Sequence, residues 1–276
     1  MERGEIIVLK LMTKRILGEG KYIAFREWYK KNRYKYFIEP KLIKDSLAAG
    51  DLVEIPTNVR CNLVKYGNDY GGYYVCPDYL SENPIVYSCG IGKDLSFDEQ
   101  IIKIKNCSVY AFDPTPMSID FVKNSEIYKS DEFHFYEYGI SDKDEQATFY
   151  LNEEDEINDG SASVLKKTYT QDENKIIVEM KCIQTICNIL HHNYIDVLKL
   201  DIEGSEFAVM DHIVENQLNI GQICLELHGR FLKKEERKEK YERLLNQIQK
   251  GGYKVAFTTY SPQSQEITII KKELLK

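Results

Sequence analysis

The sequence predicts an α/β fold, a doubly wound and mostly parallel sheet preceded by an N-terminal helical extension. Three observations predict it. Strand and helix patterns alternate from about residue 84 onward, which places helices on both faces of a parallel sheet. A Gly-x-Gly loop joins the first of these strands to the first helix. The last two strand patterns are joined by a connection too short for a crossover, so they should pair antiparallel.

The chain has 276 residues, enough for one large domain or one domain with a small extension. Residues 1–50 read as the helical extension, with turn signals at Gly18–Gly20 and at Glu39–Pro40, and residues 51–276 as the main domain. PIVYSCG is a short apolar strand ending in glycine. The helix after it is introduced by Ser96-Phe97-Asp98-Glu99, a capping-box pattern in which Ser96 caps and Glu99 reaches back. VYAFDP is a second strand, stopped by Pro114, and FHFYEYGIS a third. ATFYLN and IIVEMKCI read as extended segments around the polar loop NEEDEINDGSAS. IDVLKLDIE is the next strand. Its helix carries apolar residues at Phe207, Met210, Ile213, Val214 and Leu218. QICLELH follows, then a charged helix over 232–250 that ends at Gly251-Gly252. YKVAFTTY and EITIIKK close the chain.

Composition narrows the function. The chain is 43% hydrophobic and 29% charged with a net charge of −7, an ordinary globular balance that gives no general reason to expect nucleic acid. The charge is uneven: residues 1–50 carry 12 Lys/Arg and 6 Asp/Glu, a net of +6 against −13 in the rest. Within that basic segment, KYIAFREWYKKNRYKYF interleaves aromatic and basic residues. It suits an anionic surface, or an amphipathic helix packed on the main domain, and the second reading is preferred. The same aromatic-rich region is a candidate homodimer contact. Seven cysteines, an odd number with no CxxC pair, read as reduced core thiols rather than a disulfide frame or a zinc site. No apolar run has the length of a membrane span, and MERGEIIVLKLMTKR makes a poor signal peptide. The expectation is a cytoplasmic protein.

In open α/β sheets, ligands bind beyond the carboxyl ends of the strands. Those ends carry Ser88-Cys89-Gly90-Ile91-Gly92-Lys93-Asp94, then Asp113-Pro114, then Gly139-Ile140-Ser141-Asp142, then Asp201 and Glu203, then Glu226 and His228. The glycines allow a ligand close to the backbone. Asp113, about twenty residues on at the end of the next strand, stands where an acid takes ribose hydroxyls. It also suits a turn before Pro114. A dinucleotide fingerprint needs a third glycine where this chain has Leu95, which counts against NAD. The many acids suit a cationic cofactor, and S-adenosylmethionine has a sulfonium, an amino group and no phosphate.

LKLDIEGSE resembles the LKxDxEGxE signature of FkbM-type methyltransferases. The resemblance extends, in order, to KYGNDYGGYYVC, IVYSCGIGKDLSFDE, VYAFDPTP, YGISDKDEQATFY and ICLELH, over about residues 56–270. It implies a Rossmann-like class I methyltransferase fold of seven strands, the last antiparallel. It also implies O-methylation from S-adenosylmethionine, commonly on sugars of glycans or natural products. By this resemblance Gly71, Gly72, Ser88, Gly90 and Gly92 lie at the cofactor, and Asp113 and Pro114 at its ribose. Gly139, Ile140 and Ser141 flank the adenine, while Asp201 and Glu203 face the methionine end or the acceptor. Two departures stand out. Tyr70-Gly71-Gly72-Tyr73 replaces the family's frequent Asp-Gly-Gly-Tyr, and Ser88-Cys89 stands where many methyltransferases place an acid.

Methyl transfer to a hydroxyl needs in-line alignment and a destination for the proton. His228 is the first candidate base, with a hydrogen-bonded structural histidine as the other reading; Glu226 either orients it or lies beneath the sheet, and Asp201 is the second candidate base. No metal is expected; Asp201, Glu203 and His228 are the set that would hold magnesium or manganese. Glu206 reads as an acid favoured at a helix N-terminus. Two other classes compete: a methyltransferase-like fold serving only as a binding module, and an NAD-dependent oxidoreductase.

Overall fold

The structure is a computed structural model and describes residues 21, 24, 34–150, 175–261 and 264–275. The chain divides into two compact units, Met1–Ala49 and Gly50–Lys276. In the first, a π-helical turn at Tyr34–Ile38 runs into helix α1 (Glu39–Ala49). Glu39–Pro40, expected to form a turn, instead begins a helix. Proline is tolerated in a first turn because the N–H it lacks has no partner there. Most of the aromatic-basic segment, including residues 22–23 and 25–33, and the turn signal at residues 18–20 lie outside the described residues. So does the polar loop of residues 152–163.

The second unit opens with the hairpin β1 (Val64–Tyr66) and β2 (Tyr73–Val75). Then come β3 (Ile85–Cys89), α2 (Ser96–Lys105), β4 (Ser108–Phe112), α3 (Pro116–Lys123) and β5 (Phe133–Tyr136). Strands β6 (Gly139–Ser141), β7 (Glu145–Tyr150) and β8 (Lys175–Cys182) follow, then α4 (Ile183–Leu190) and β9 (Ile195–Leu200). The chain ends with α5 (Glu206–Glu215), β10 (Ile220–Leu227), α6 (Lys234–Lys250), β11 (Tyr253–Tyr260) and β12 (Gln265–Lys271).

Seven strands form the main sheet in the order β11-β12-β10-β9-β3-β4-β5. The pairings of β10 with β9, β9 with β3, β3 with β4 and β4 with β5 are parallel, while β12 runs antiparallel to both β10 and β11. This is the predicted architecture. Strand β9 lies at the centre and all six of its residues are buried, as its nearly unbroken apolar run requires. One core packs Leu198, Leu200, Ile223 and Leu225 against Phe207, Met210 and Ile213 of α5. A second lies on the other sheet face under α2 and the hairpin, around Val86, Val109, Val197, Phe97 and Ile101.

The hairpin is fastened to that second face by polar side chains. Buried Gln222 of β10 accepts from Cys76 N at 2.8 Å and donates to Cys76 O at 2.9 Å. Thr268 Oγ1 of β12 donates to Tyr74 O at 2.7 Å. These bonds satisfy the backbone around β2 and carry Tyr73 to the carboxyl ends of β9 and β10.

Two local expectations are corrected. FHFYEYGIS is two strands: β5 ends at Tyr136, and β6 joins β8 and β7 in a separate three-stranded sheet. The chain leaves the main sheet through a tight passage at Gly139, where a Cβ would stand 2.6 Å from Met180 Sδ and 3.1 Å from Pro114 Cγ. The capping box is also absent. Leu95 holds the N-cap position without a side-chain cap bond. Asp94 Oδ1 takes the Ser96 N–H at 2.7 Å, and the Ser96 hydroxyl accepts from Asn68 N at 3.0 Å. Ser96 is thus drawn away from capping by the loop of the hairpin.

All seven cysteines are free. No helix among the described residues is long and apolar enough to cross a membrane.

Candidate functional site

The site begins with the glycine loop after β3. Gly90 and Gly92 have φ of +81° and +58°, a region open to glycine at little cost. Gly90 is fixed by a neighbour as well as by its dihedral. A Cβ there would stand 1.7 Å from the carbonyl oxygen of Asp201, because the ends of β3 and β9 converge at this point. Lys199, 4% exposed, donates from Nζ to the Gly90 carbonyl and lies 5.2 Å from the Tyr73 ring centroid. A lysine inside an apolar strand gave no sequence signal for this role.

Asp113 shapes the same loop. Its Oδ2 accepts from Ile91 N at 2.8 Å and Gly92 N at 3.1 Å, and its Oδ1 from Thr115 N at 2.9 Å and Thr115 Oγ1 at 2.7 Å. A carboxylate offers about four lone-pair sites, and four are occupied here. Asp113 therefore anchors the loop as well as standing at the strand end expected to meet ribose hydroxyls. Ser88 is fully buried within β3, where its hydroxyl lies against the Asp98 carboxyl. Ile140 has a core side chain. Ser141 Oγ bonds Asp142 at 3.0 Å, and Pro114 is partly buried against Gly139.

Gly71 and Gly72 belong to the hairpin turn. A Cβ on Gly72 would meet Asn68 O at 2.4 Å, and one on Gly71 would meet the Asp94 carboxyl carbon at 2.7 Å. Asp94 thus packs between the hairpin and the glycine loop. Burial opposes its charge, but hydrogen bonds from Ser96 and Asn68 outweigh that and hold its carboxyl below the usual carboxylate range. The sequence places this acid at the first strand end without giving it a role. Tyr70, which departs from the family pattern, is 74% exposed, far from a role at the floor of the site.

The acids of β9 and β10 meet as expected. Tyr73 donates from its hydroxyl toward Asp201 Oδ2 at 3.0 Å and Glu226 Oε2 at 3.3 Å. His228 Nε2 points at the opposite oxygens, 3.9 Å from Asp201 Oδ1 and 3.6 Å from Glu226 Oε1. Glu203 Oε2 is also 3.9 Å away and is paired with Arg230 at 3.4 Å. Among the described residues, one ligand atom each of Asp201, Glu226 and His228 lie within 4.8 Å of one another. The set that could hold a metal therefore includes Glu226 in place of the expected Glu203.

His228 is 3% exposed, and its Nδ1 is 2.8 Å from Glu206 Oε1. Glu206, fully buried, also accepts from the N–H groups of Ile202 and Gly204. This is more than a favourable charge at a helix end. Burial alone would make His228 less basic; the bond to Glu206 and the charges of Asp201 and Glu203 outweigh it and raise the imidazole to about 10. Burial, then the charge of Asp201, raises Glu226 to about 7 against the pull of His228. Burial also raises Glu203 and lifts Tyr73 well above the ordinary phenol range. A buried imidazole with Nδ1 committed and its proton tightly held is badly placed to act as a base at neutral pH.

Residues 13–255 match the family described as "Methyltransferase FkbM domain". The chain belongs to the FkbM methyltransferase family. Among curated relatives, this FkbM chain is similar to "Probable methyltransferase-like protein 24" of Homo sapiens, at 25% identity over 145 residues, covering 52% of this chain and 32% of the relative. The protein of that name from Rattus norvegicus is 22% identical over 197 residues, covering 68% and 46%. This chain thus aligns with about a third to just under half of these relatives' length. Among solved structures it is similar to the Methanococcus jannaschii fibrillarin pre-rRNA processing protein. That likeness has 11% identity and a TM-score of 0.44 over 80% of this chain and 86% of the other.

Proposed function

We propose that this chain is an S-adenosylmethionine-dependent O-methyltransferase acting on a hydroxyl of a sugar or glycan precursor. The observation that carries the reading is the convergence of β3 and β9. It sets the Gly90 backbone against Asp201 and so joins a glycine loop to a pair of acids. The donor set fits the cofactor's chemistry. Asp94, Asp201 and Glu203 present negative charge around the loop, which suits an ammonium and a sulfonium and opposes a pyrophosphate. When bound, the cofactor supplies an electrophilic methyl group.

The protein's own residues supply the rest. Gly90 and Gly92 admit the cofactor to the backbone, and Asp94 faces its amino group in place of the acid absent at Ser88-Cys89. Pro114 and the backbone of Gly139 and Ile140 border the adenine. The acceptor hydroxyl meets the carboxylates of Asp201 and Glu226, whose side chains keep 30% and 23% exposure while His228 keeps 3%. Asp201 takes the hydroxyl proton, and Tyr73 and His228 hold the two carboxylates in place. Calorimetry with S-adenosylhomocysteine, followed by labelled methyl transfer to mono- and oligosaccharides, tests this. Asp201→Asn should keep product affinity and lose most turnover. Failure of the unaltered chain to bind S-adenosylhomocysteine would sink the proposal.

A further inference from the structure

We infer that Asp201, Glu226 and His228 form a binding site for one divalent cation of the magnesium or manganese class, which holds the acceptor oxygen. Only the cation's catalytic role rests on the proposed O-methylation; its binding stands on geometry alone. Two carboxylates and one imidazole are hard oxygen and borderline nitrogen donors, the types these ions accept. The atoms come from two adjacent strand ends, where backbone pairing fixes them. Leu200 pairs with Leu225, so Asp201 and Glu226 extend the same register side by side. An ion about 2.1 Å from each ligand spans ligand pairs about 3 to 4.2 Å apart. The separations of 3.6 and 3.9 Å from His228 Nε2 to Glu226 and Asp201 fall in that range, and both exceed hydrogen-bond reach.

The stronger observation is that every ligand is held from outside the cluster. Glu206 holds His228 Nδ1, so a cation arriving at Nε2 would displace the proton there and leave that lone pair turned toward the carboxylates. Nε2 belongs to a side chain that is 97% buried and aims at the carboxylates without a hydrogen bond to them. Tyr73 binds Asp201 Oδ2 and Glu226 Oε2, the outer oxygens, and leaves Oδ1 and Oε1 turned toward Nε2. Outer partners of this kind orient metal ligands and set affinity. The partial exposure of Asp201 and Glu226 leaves the remaining coordination positions open to an acceptor hydroxyl. Bound there, the hydroxyl would be more acidic and would lose its proton to water, with Asp201 serving as a ligand rather than as the base when the cation is present.

The test is titration of the full chain, stripped with EDTA and then dialysed, with MnCl2. Electron paramagnetic resonance follows free Mn2+, and calorimetry is repeated with MgCl2. One saturable Mn2+ per chain is expected. Glu226→Gln and Asp201→Asn should abolish saturable binding. Tyr73→Phe, which keeps all three ligands and the ring packing, should weaken it about 10- to 100-fold. Thermal melts without metal check that each variant folds. No saturable Mn2+ on the unaltered chain, or binding by a folded Glu226→Gln equal to that of the unaltered chain, overturns the inference. S-adenosylhomocysteine affinity measured in EDTA separates the two ideas. Product binding without Mn2+ binding overturns the cation site alone, whereas Mn2+ binding without product binding supports the site and overturns the methyltransferase reading.

Discussion

Glu206 Oε1 lies 2.8 Å from His228 Nδ1, and both residues are almost wholly shielded from water. The same carboxylate closes the turn before α5 by accepting from Ile202 N at 3.2 Å and Gly204 N at 3.0 and 3.1 Å. Glu206→Ala would strand the histidine and two backbone N–H groups at once. Breaking a buried pair from one side costs about 3–5 kcal/mol. An acid serving only the helix dipole would cost about 0.3–1 kcal/mol. Urea unfolding of Glu206→Ala should give the larger loss, and Glu206→Gln, which keeps the volume and an acceptor, less than half of it. A loss under about 1 kcal/mol for the alanine variant would return Glu206 to the dipole role.

Asp113 yields a prediction in two parts. Its four protein hydrogen bonds fold the glycine loop. Asp113→Ala should therefore weaken S-adenosylhomocysteine binding by about tenfold or more, since each unpaired buried donor costs about 1–3 kcal/mol. The loss should be the same for the 2′-deoxyribose analogue of that ligand. Non-additivity between the mutation and the missing hydroxyl, measured as a thermodynamic cycle, would restore a direct ribose contact.

The sheet was legible because its signals are local. Strand β9 shows its burial in its own apolar letters, and the short link from β11 to β12 dictates antiparallel pairing. The acids at strand ends were legible for the same reason: topology alone brings Asp201 beside Glu226. What the sequence hid depends on distant partners. Glu206 and His228 are 22 positions apart, so a buried pair looked like a helix-end acid beside an unrelated base. Tyr73 sits on a three-residue strand, too short for its alternation to be recognised, and reaches Asp201 across 128 positions. Asp113 was placed correctly along the chain. Its occupied lone pairs appear only once the loop is folded against it.

Gly90 and Gly252 offer a controlled contrast. Both have positive φ, +81° and +73°. A Cβ on Gly252 meets nothing within 4 Å, whereas one on Gly90 would overlap the Asp201 carbonyl. Gly252→Ala should cost only the left-handed backbone penalty, about 1–2 kcal/mol. Gly90→Ala adds a clash that forces β3 and β9 apart, and about 3 kcal/mol or more is expected. Urea midpoints of the two variants check the order. Equal losses would mean that the strand ends yield without penalty.

Asp98 gives a pH prediction away from the proposed ligands. It lies in the first turn of α2 and is 1% exposed. Burial raises its carboxyl from the ordinary 3.8 to about 6; the positive charge of Lys199 on β9 and the Ser88 hydroxyl oppose this, and the negative charge of Asp94 adds to it. A carboxyl raised on folding favours the folded state most when it is protonated. Its contribution is complete below pH 3.8 and is lost as pH rises through 6. The gap corresponds to about 3 kcal/mol of stability absent at pH 7 and above. Asp98→Asn keeps the shape and removes the titration. Its unfolding free energy should match that of the unaltered chain near pH 3.5 and exceed it at pH 7.5. The difference should open between those limits in urea titrations at several pH values. A constant difference across the range would show that Asp98 does not bind its proton more tightly in the folded protein.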